Sequence, residues 1–172
     1  DAGGSLQREA EQHGFVIAAP SGYNGKSDYG ANLPLPAAAG ATGEAIKMAS
    51  KSDSALAEID VRNVIDSIAV RYRIDPSRMY LMGNSMGMVG ALHFADAFAG
   101  HWCAISASSG PPWPNYPVER LRPMAGVRFL IGDRDEIAKR SDIENLVERA
   151  KHAGVDARMQ VISGGTHTGA WA

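Results

Sequence analysis

Short apolar runs that alternate with helical patterns constrain this chain more than any other feature. Phe15 to Ala19, Met79 to Met82, Cys103 to Ala107, Val127 to Ile131 and Arg158 to Ile162 read as strands, apolar or β-branched and only a few residues long. Between most of them lie helix-like segments: Leu6 to His13, Asp53 to Tyr72, Met86 to Phe98 and Ser141 to His152. The second is the clearest. Its Leu56, Ile59, Val64, Ile65, Ile68 and Val70 recur near helical spacing, and Asp75-Pro76 closes the segment before the next strand. Such alternation predicts an α/β fold: a three-layer α/β/α sandwich whose mainly parallel sheet is covered on both faces and joined by right-handed crossovers. With 172 residues, 45% of them hydrophobic and 21% charged, the chain is expected to form one globular domain over residues 1–172, without an internal repeat or dividing linker.

Two segments break the rhythm. Residues Ser21 to Ser52 are rich in Gly, Ala and Pro and too long for an ordinary connection, which predicts a functional surface loop or a partly mobile one. Pro111-Pro112-Trp113-Pro114-Asn115-Tyr116-Pro117 is stiffened by its prolines. Its two aromatics are expected either to line an apolar pocket or, for Trp113, to pack over the sheet edge.

Charge excludes several classes of function. A net charge of −2 gives no electrostatic case for nucleic acid or an anionic membrane surface. No stretch reaches the roughly 18 consecutive apolar residues of a spanning helix. The single cysteine, Cys103, cannot form an internal disulfide and reads as a buried small hydrophobe, with a thiol nucleophile as the alternative. The sequence opens Asp1-Ala2-Gly3-Gly4 without an initiator methionine, as a processed, trimmed or partial chain would, and leaves the compartment undetermined.

The residues that follow the strands carry the chemistry, because ligands of open α/β sheets gather beyond the carboxyl ends of the strands. After the first run comes Ser21-Gly22-Tyr23; after the second, Gly83-Asn84-Ser85-Met86-Gly87; after the third, Ser108-Ser109-Gly110. Gly132-Asp133-Arg134-Asp135 follows the fourth and Gly164-Gly165-Thr166-His167 the fifth. A serine at a strand-to-helix turn between glycines has its Oγ raised above the sheet, with a helix N-terminus aimed at the reacting centre. A serine hydroxyl needs a base to take its proton, and His167 is the candidate. The imidazolium formed needs a carboxylate behind it; Asp135 is preferred, with Asp133 two residues earlier as its competitor. His13, His93, His101 and His152 fall on predicted helices or beside Trp102 and read as structural or solvent-facing. The absence of an HExxH pattern, of paired cysteines and of a lysine at Walker spacing after Gly164-Gly165 predicts a site with no metal and no cofactor.

The run from Asp60 to Gly87, with Asn63-Val-Ile-Asp66, Tyr72-Arg-Ile-Asp-Pro76, Arg78-Met-Tyr-Leu81 and the serine pentapeptide, resembles α/β-hydrolase esterases. Similar are the polyhydroxybutyrate depolymerases, feruloyl and acetylxylan esterases, and dienelactone-hydrolase-like or prolyl-oligopeptidase-like hydrolases. His13-Gly-Phe-Val-Ile-Ala-Ala-Pro20 resembles the strand before the serine unit, Gly132-Asp-Arg-Asp135 the acid loop, and Gly165-Thr-His167 with Trp171 the histidine loop. Nearly the whole chain takes part, and the order Ser, Asp, His is that of this superfamily. The resemblance implies a minimal or truncated α/β-hydrolase fold and a serine esterase working through an acyl-enzyme. In it Ser85 attacks, His167 shuttles the proton, Asp135 orients His167, and the Met86 backbone N–H binds the oxyanion. The expected partner is a small-molecule ester held against Tyr23, Trp113 and Tyr116, without nucleic acid or membrane. A non-catalytic binding or assembly protein of the same fold, or a prolyl-oligopeptidase-type peptidase, is the alternative.

Three departures from the family pattern carry expectations of their own. The His-Gly-Gly type loop that supplies a second oxyanion donor is not in the sequence, leaving Gly3-Gly4, the Tyr23 hydroxyl or sequence outside this chain to supply it. The family also has a strand between those corresponding to Phe15–Ala19 and Met79–Met82. Without it, those two strands pair directly, another chain fills the gap as in a homodimer, or the sequence is part of a longer one. Met88 stands where many relatives carry a further glycine and is expected to narrow the approach of the helix to the sheet.

Overall fold

Four runs of β-branched and apolar residues pair side by side in the computed structural model, which describes residues 4–23, 28–31, 51–111 and 113–169. They are β1 (Tyr80–Asn84), β2 (Ala104–Ser108), β3 (Gly126–Gly132) and β4 (Ala157–Ile162), all parallel and in the order β1-β2-β3-β4. The helices are α1 (Ser5–His13), α2 (Lys51–Arg71), α3 (Met86–Ala97) and α4 (Arg140–His152). Each lies within a residue or two of its sequence expectation, the normal uncertainty of helix ends. None of the described helices is long and apolar enough to cross a membrane.

The connections explain the layering. Each strand pairs with the next in the same direction, so right-handed crossovers put α3 and α4 on the same face of the sheet. Met88, Ala91, Leu92 and Ala95 of α3 and Ile143, Leu146, Val147 and Ala150 of α4 join Ile105, Ala107, Val127, Phe129 and Ile131 in one buried cluster. Alternation along β3 marks the boundary: Val127, Phe129 and Ile131 are each 0% exposed, whereas Arg128 and Leu130 between them are only partly covered. The α/β class and the parallel sheet are as expected. The expected cover on both faces is not found among the described residues, where Tyr80, Met82, Arg158 and Gln160 on the second face are exposed. Helix α1 has no fully buried residue.

Two sequence expectations are corrected. Phe15 to Ala19 forms no strand; it is irregular, and Phe15, Val16 and Ile17 are about half exposed. A strand needs a neighbour to take its backbone hydrogen bonds, and no described strand pairs with this segment. Direct pairing with β1 does not occur either, although the Phe15 ring meets Tyr80 edge-on at 5.7 Å. The outer edge of β1 is therefore unpaired among the described residues. The second correction concerns the face of α2. Its buried stripe is Ser54, Ala57 and Val61, continued by half-buried Val64, Ile65 and Ile68, while Leu56, Ile59 and Val70 are exposed. The helix packs chiefly on the short helical turn Asp28–Gly30, which in turn packs on α3, with Gly30 close against Ser54 and Glu58, a contact that the pattern of large apolar side chains did not single out. Around that contact Glu58 meets His93 at 3.3 Å, and the Arg62 guanidinium lies 4.6 Å over the Phe98 ring.

Candidate active site

Ser85 follows β1 directly and caps α3 with φ 55° and ψ −119°, a backbone conformation outside the regions open to ordinary L-residues. Neighbouring bonds hold it there. The Ser85 N–H donates to the Ser108 carbonyl at 2.8 Å, and the Ser85 carbonyl accepts from the Met88 N–H at 3.0 Å. Gly83 makes the turn possible, since a Cβ at that position would overlap the Gly87 carbonyl. Gly87 itself faces open space, so of the two glycines only Gly83 is sterically required. Met86 begins α3 immediately after Ser85, and as a first-turn residue its N–H has no acceptor within the helix.

The acid and histidine loops are locked together at the far ends of β3 and β4. A Cβ on Gly132 would overlap the Gly165 carbonyl, and that carbonyl accepts the Arg134 N–H at 2.9 Å. Asp133 accepts the Gly164 N–H at 2.7 Å. The two aspartates that compete in sequence thus have different partners: Asp133 pins the backbone of the histidine loop, and Asp135 reaches the ring.

His167 lies between Ser85 and Asp135. Its Nε2 is 2.9 Å from Ser85 Oγ, and its Nδ1 is 3.0 Å from Asp135 Oδ1 and 3.3 Å from Oδ2. An ionised carboxylate only accepts, so Nδ1 carries the proton in the neutral ring and Nε2 is left to accept from the serine hydroxyl. The ring and carboxylate are shut away from solvent, with side-chain exposures of 8% and 1%. Burial works to raise the Asp135 pKa. It is outweighed by the N–H groups of Ala138 and Ile137, which donate to Oδ1 at 2.8 and 2.9 Å, and by Ser109 and His167, so the carboxyl is held below its ordinary value. Ser109 acts at short range without forming a hydrogen bond within 3.5 Å; its buried hydroxyl has no such partner, and its backbone sits at φ 52°.

The three aromatics expected to line a pocket have different surroundings. Tyr116 is a core residue, 1% exposed, whose hydroxyl donates to the Leu92 carbonyl at 3.1 Å; it lines no open surface. Two prolines flanking an aromatic do not distinguish a pocket wall from a buried plug, and the phenol went inward because α3 offered it an acceptor. Trp113 is half-buried and packs against Tyr116 at 5.0 Å, while Arg149 donates to the backbone carbonyls of both residues. Tyr23 is 53% exposed with φ 68°. Residues 24–27, 32–50 and 112, Gly3 of the candidate oxyanion segment and Trp171 of the histidine loop lie outside the described residues. His13, His93, His101 and His152 contact Glu9, Glu58, the Phe98 carbonyl and the Glu148 carbonyl, away from Ser85. Among the described residues no three His, Cys, Asp or Glu side chains gather as a metal site.

No protein-family profile matches the sequence. No curated protein sequence is similar to it. Solved structures do match, with a TM-score of 0.53 to esterase PE8 at 22% identity, over 67% of this chain and 54% of that one. An alpha-beta serine hydrolase homologue from Coxiella burnetii matches with a TM-score of 0.53 at 17% identity, over 74% of this chain and 57% of that one. The fold is that of an α/β-hydrolase. A thermostable esterase adds a TM-score of 0.58 at 21% identity, over 66% of this chain and 32% of that protein. At these identities the likeness is one of fold, and the matched region spans between a third and somewhat over half of each of these proteins.

Sequence reasoning gave no role to two polar residues of this site, Asn84 and Ser108, and weighed Asp133 only as a competitor for the acid. Asn84, Ser108 and Asp133 each bond to the Ser85 turn or to the histidine loop. The available signal was their place at strand ends, where side chains from different strands converge.

Proposed function

We propose that this chain carries the active site of a serine hydrolase that cleaves carboxylic esters through an acyl-enzyme. The supporting observation is the continuous hydrogen-bonded chain from Ser85 Oγ through His167 to Asp135, at 2.9 and 3.0 Å, on a strained serine. In this reading Ser85 Oγ bonds to the acyl carbon of the ester while its proton moves to His167 Nε2. The tetrahedral intermediate collapses, its C–O bond to the alcohol breaks, and His167 returns the proton to the departing alkoxide. Water then attacks the acyl-serine, giving its proton to His167, and the carboxylic acid leaves as Ser85 Oγ recovers that proton. Asp135 stabilises the transient imidazolium and keeps Nε2 turned to Ser85. The Met86 N–H, at the positive end of α3, is the donor assigned to the oxyanion. Neither a metal nor an organic cofactor has a role in these steps.

The experiment is Ser85→Ala. Hydrolysis of p-nitrophenyl acetate or butyrate is expected to fall to background while the unfolding midpoint stays near that of the parent; retained turnover sinks the reading. A second reading is a hydrolase-fold protein that binds without turning over; it is favoured if the Met86 N–H at the start of α3, the one donor assigned to the oxyanion, acts without a second. Loss of one donor typically costs about 2.7 to 4 kcal/mol of transition-state stabilisation. Stoichiometric labelling of Ser85 by a fluorophosphonate favours the hydrolase, and folded protein that does not label favours the binding protein.

A further inference from the structure

Asn84 is the last residue of β1 and the neighbour of Ser85, and asparagine is a poor strand former. Its side chain does work that the proposed reaction does not yet include. The Asn84 Nδ2 donates to the His167 carbonyl at 3.4 Å, across 83 residues of sequence. On its other side, the buried Ser108 hydroxyl donates to Asn84 Oδ1 at 2.8 Å. The orientation of the amide follows from its partners. A carbonyl can only accept, so the atom facing His167 must be the amide nitrogen, which leaves Oδ1 for the Ser108 hydroxyl. Asn84 and Ser108 are also register partners in the β1–β2 ladder, and the Ser108 carbonyl holds the Ser85 N–H. One pair of residues therefore touches both the turn that carries the serine and the loop that carries the histidine.

We infer that Asn84, fixed by Ser108, is a positioning residue that clamps the His167 loop to the Ser85 turn. The assignment rests on the acyl-transfer reading of Ser85 and His167. The ring of His167 is oriented by Asp135, but a hydrogen bond to a ring sets its rotation and does not fix where its backbone stands. The backbone is bracketed instead. Its N–H donates to Glu136 Oε2 at 3.4 Å and its carbonyl accepts from Asn84. The Glu136 bond ties His167 to the acid loop; the Asn84 bond ties it to the serine. Without Asn84 the two loops that share Asp135 can drift together relative to Ser85, lengthening the Nε2–Oγ contact along which the proton must move.

The test uses the rate of Ser85 labelling by a fluorophosphonate, which reads nucleophile activation without substrate turnover, together with kcat and KM on p-nitrophenyl acetate. Asn84→Ala is expected to label on the order of tenfold more slowly, with kcat falling and KM held within about twofold, while still reaching one label per chain. Ser108→Ala, which only frees the amide to rotate, is expected to slow labelling less. The double variant is expected to be no slower than Asn84→Ala alone, because both residues act through one contact. A folded Asn84→Ala that labels within twofold of the parent, or additive effects in the double variant, overturns the clamp. Should Asn84→Ala fail to fold, an unchanged rate in Ser108→Ala overturns it equally, and a slowed rate with an unshifted unfolding midpoint supports it. A parent protein that does not label removes the acyl-transfer reading and the clamp with it, whereas a labelling parent beside an unaffected Asn84→Ala removes the clamp alone.

Discussion

Gly83 and Gly87 flank Ser85 evenly in sequence and unevenly in space. A Cβ at position 83 would overlap the Gly87 carbonyl, while one at position 87 meets nothing within 4 Å. Gly83→Ala should therefore destabilise the fold by about 1–3 kcal/mol through overpacking. Gly87→Ala, inside α3, should stabilise it by roughly 0.5–1 kcal/mol because alanine loses less backbone entropy. Urea unfolding of the two variants separates these outcomes by sign. Met88 is buried over Gly110, where a Cβ would run into its side chain. Tyr116→Phe should lose about 1 kcal/mol, the value of the hydroxyl bond to Leu92, and leave the proposed ester hydrolysis unchanged, as suits a core residue. Loss of hydrolysis in that variant would return Tyr116 to the pocket. Asp135 has a folded pKa below its unfolded value, so its stabilisation is complete at neutral pH, where the carboxylate is charged in both states. That contribution is lost as pH falls from the ordinary aspartate range, about 3.9, through the lower folded value. Asp135→Asn should flatten this part of the acid limb in stability measured against pH.

Four of the five strand expectations and all four helix expectations correspond to observed elements, because each rests on a local period that the backbone must satisfy wherever it goes. Faces and partners are less legible. In α2 the large apolar side chains Leu56, Ile59 and Val70 point outward, and the contact with the rest of the chain runs through Ser54, Ala57 and Val61. A helix that approaches its neighbour closely selects small residues, and hydrophobic size then misreports the buried side. Ala57→Leu should accordingly cost about 1–3 kcal/mol by overpacking, while Leu56→Ser should stay within about 0.5 kcal/mol of the parent. Thermal unfolding checks the pair, and the reverse order would restore the stripe read from the sequence. Phe15 to Ala19 makes the complementary point. Its composition is that of a strand, yet a strand is a relation between two segments, and composition describes only one.

At the scale of the whole molecule, the order β1-β2-β3-β4 gathers the site at one end of the sheet and leaves β1 at its edge. The described helices α3 and α4 shield one face, and a small cavity among Arg62, Ile65, Met79, Phe98 and Trp102 lies at the opposite, amino-terminal end of the strands, away from Ser85. Among the described residues the outer edge of β1 has no partner strand, and with Tyr80 and Met82 of that strand exposed it is a surface on which strands of other chains can add. Self-association is therefore expected, with a mass in light scattering that rises with concentration and falls back in Met82→Lys; a constant monomer mass counts against it. The sequence by itself determined the α/β class, the strand and helix segments, and the serine, acid and histidine candidates, because periodicity and strand-end position are local properties. Only the tertiary structure decided that Asp135 and not Asp133 reaches the imidazole, that Tyr116 is buried, and that Asn84 bridges the two loops. Those choices depend on which strand ends become neighbours, and that adjacency is set by pairing and packing among segments far apart in the chain.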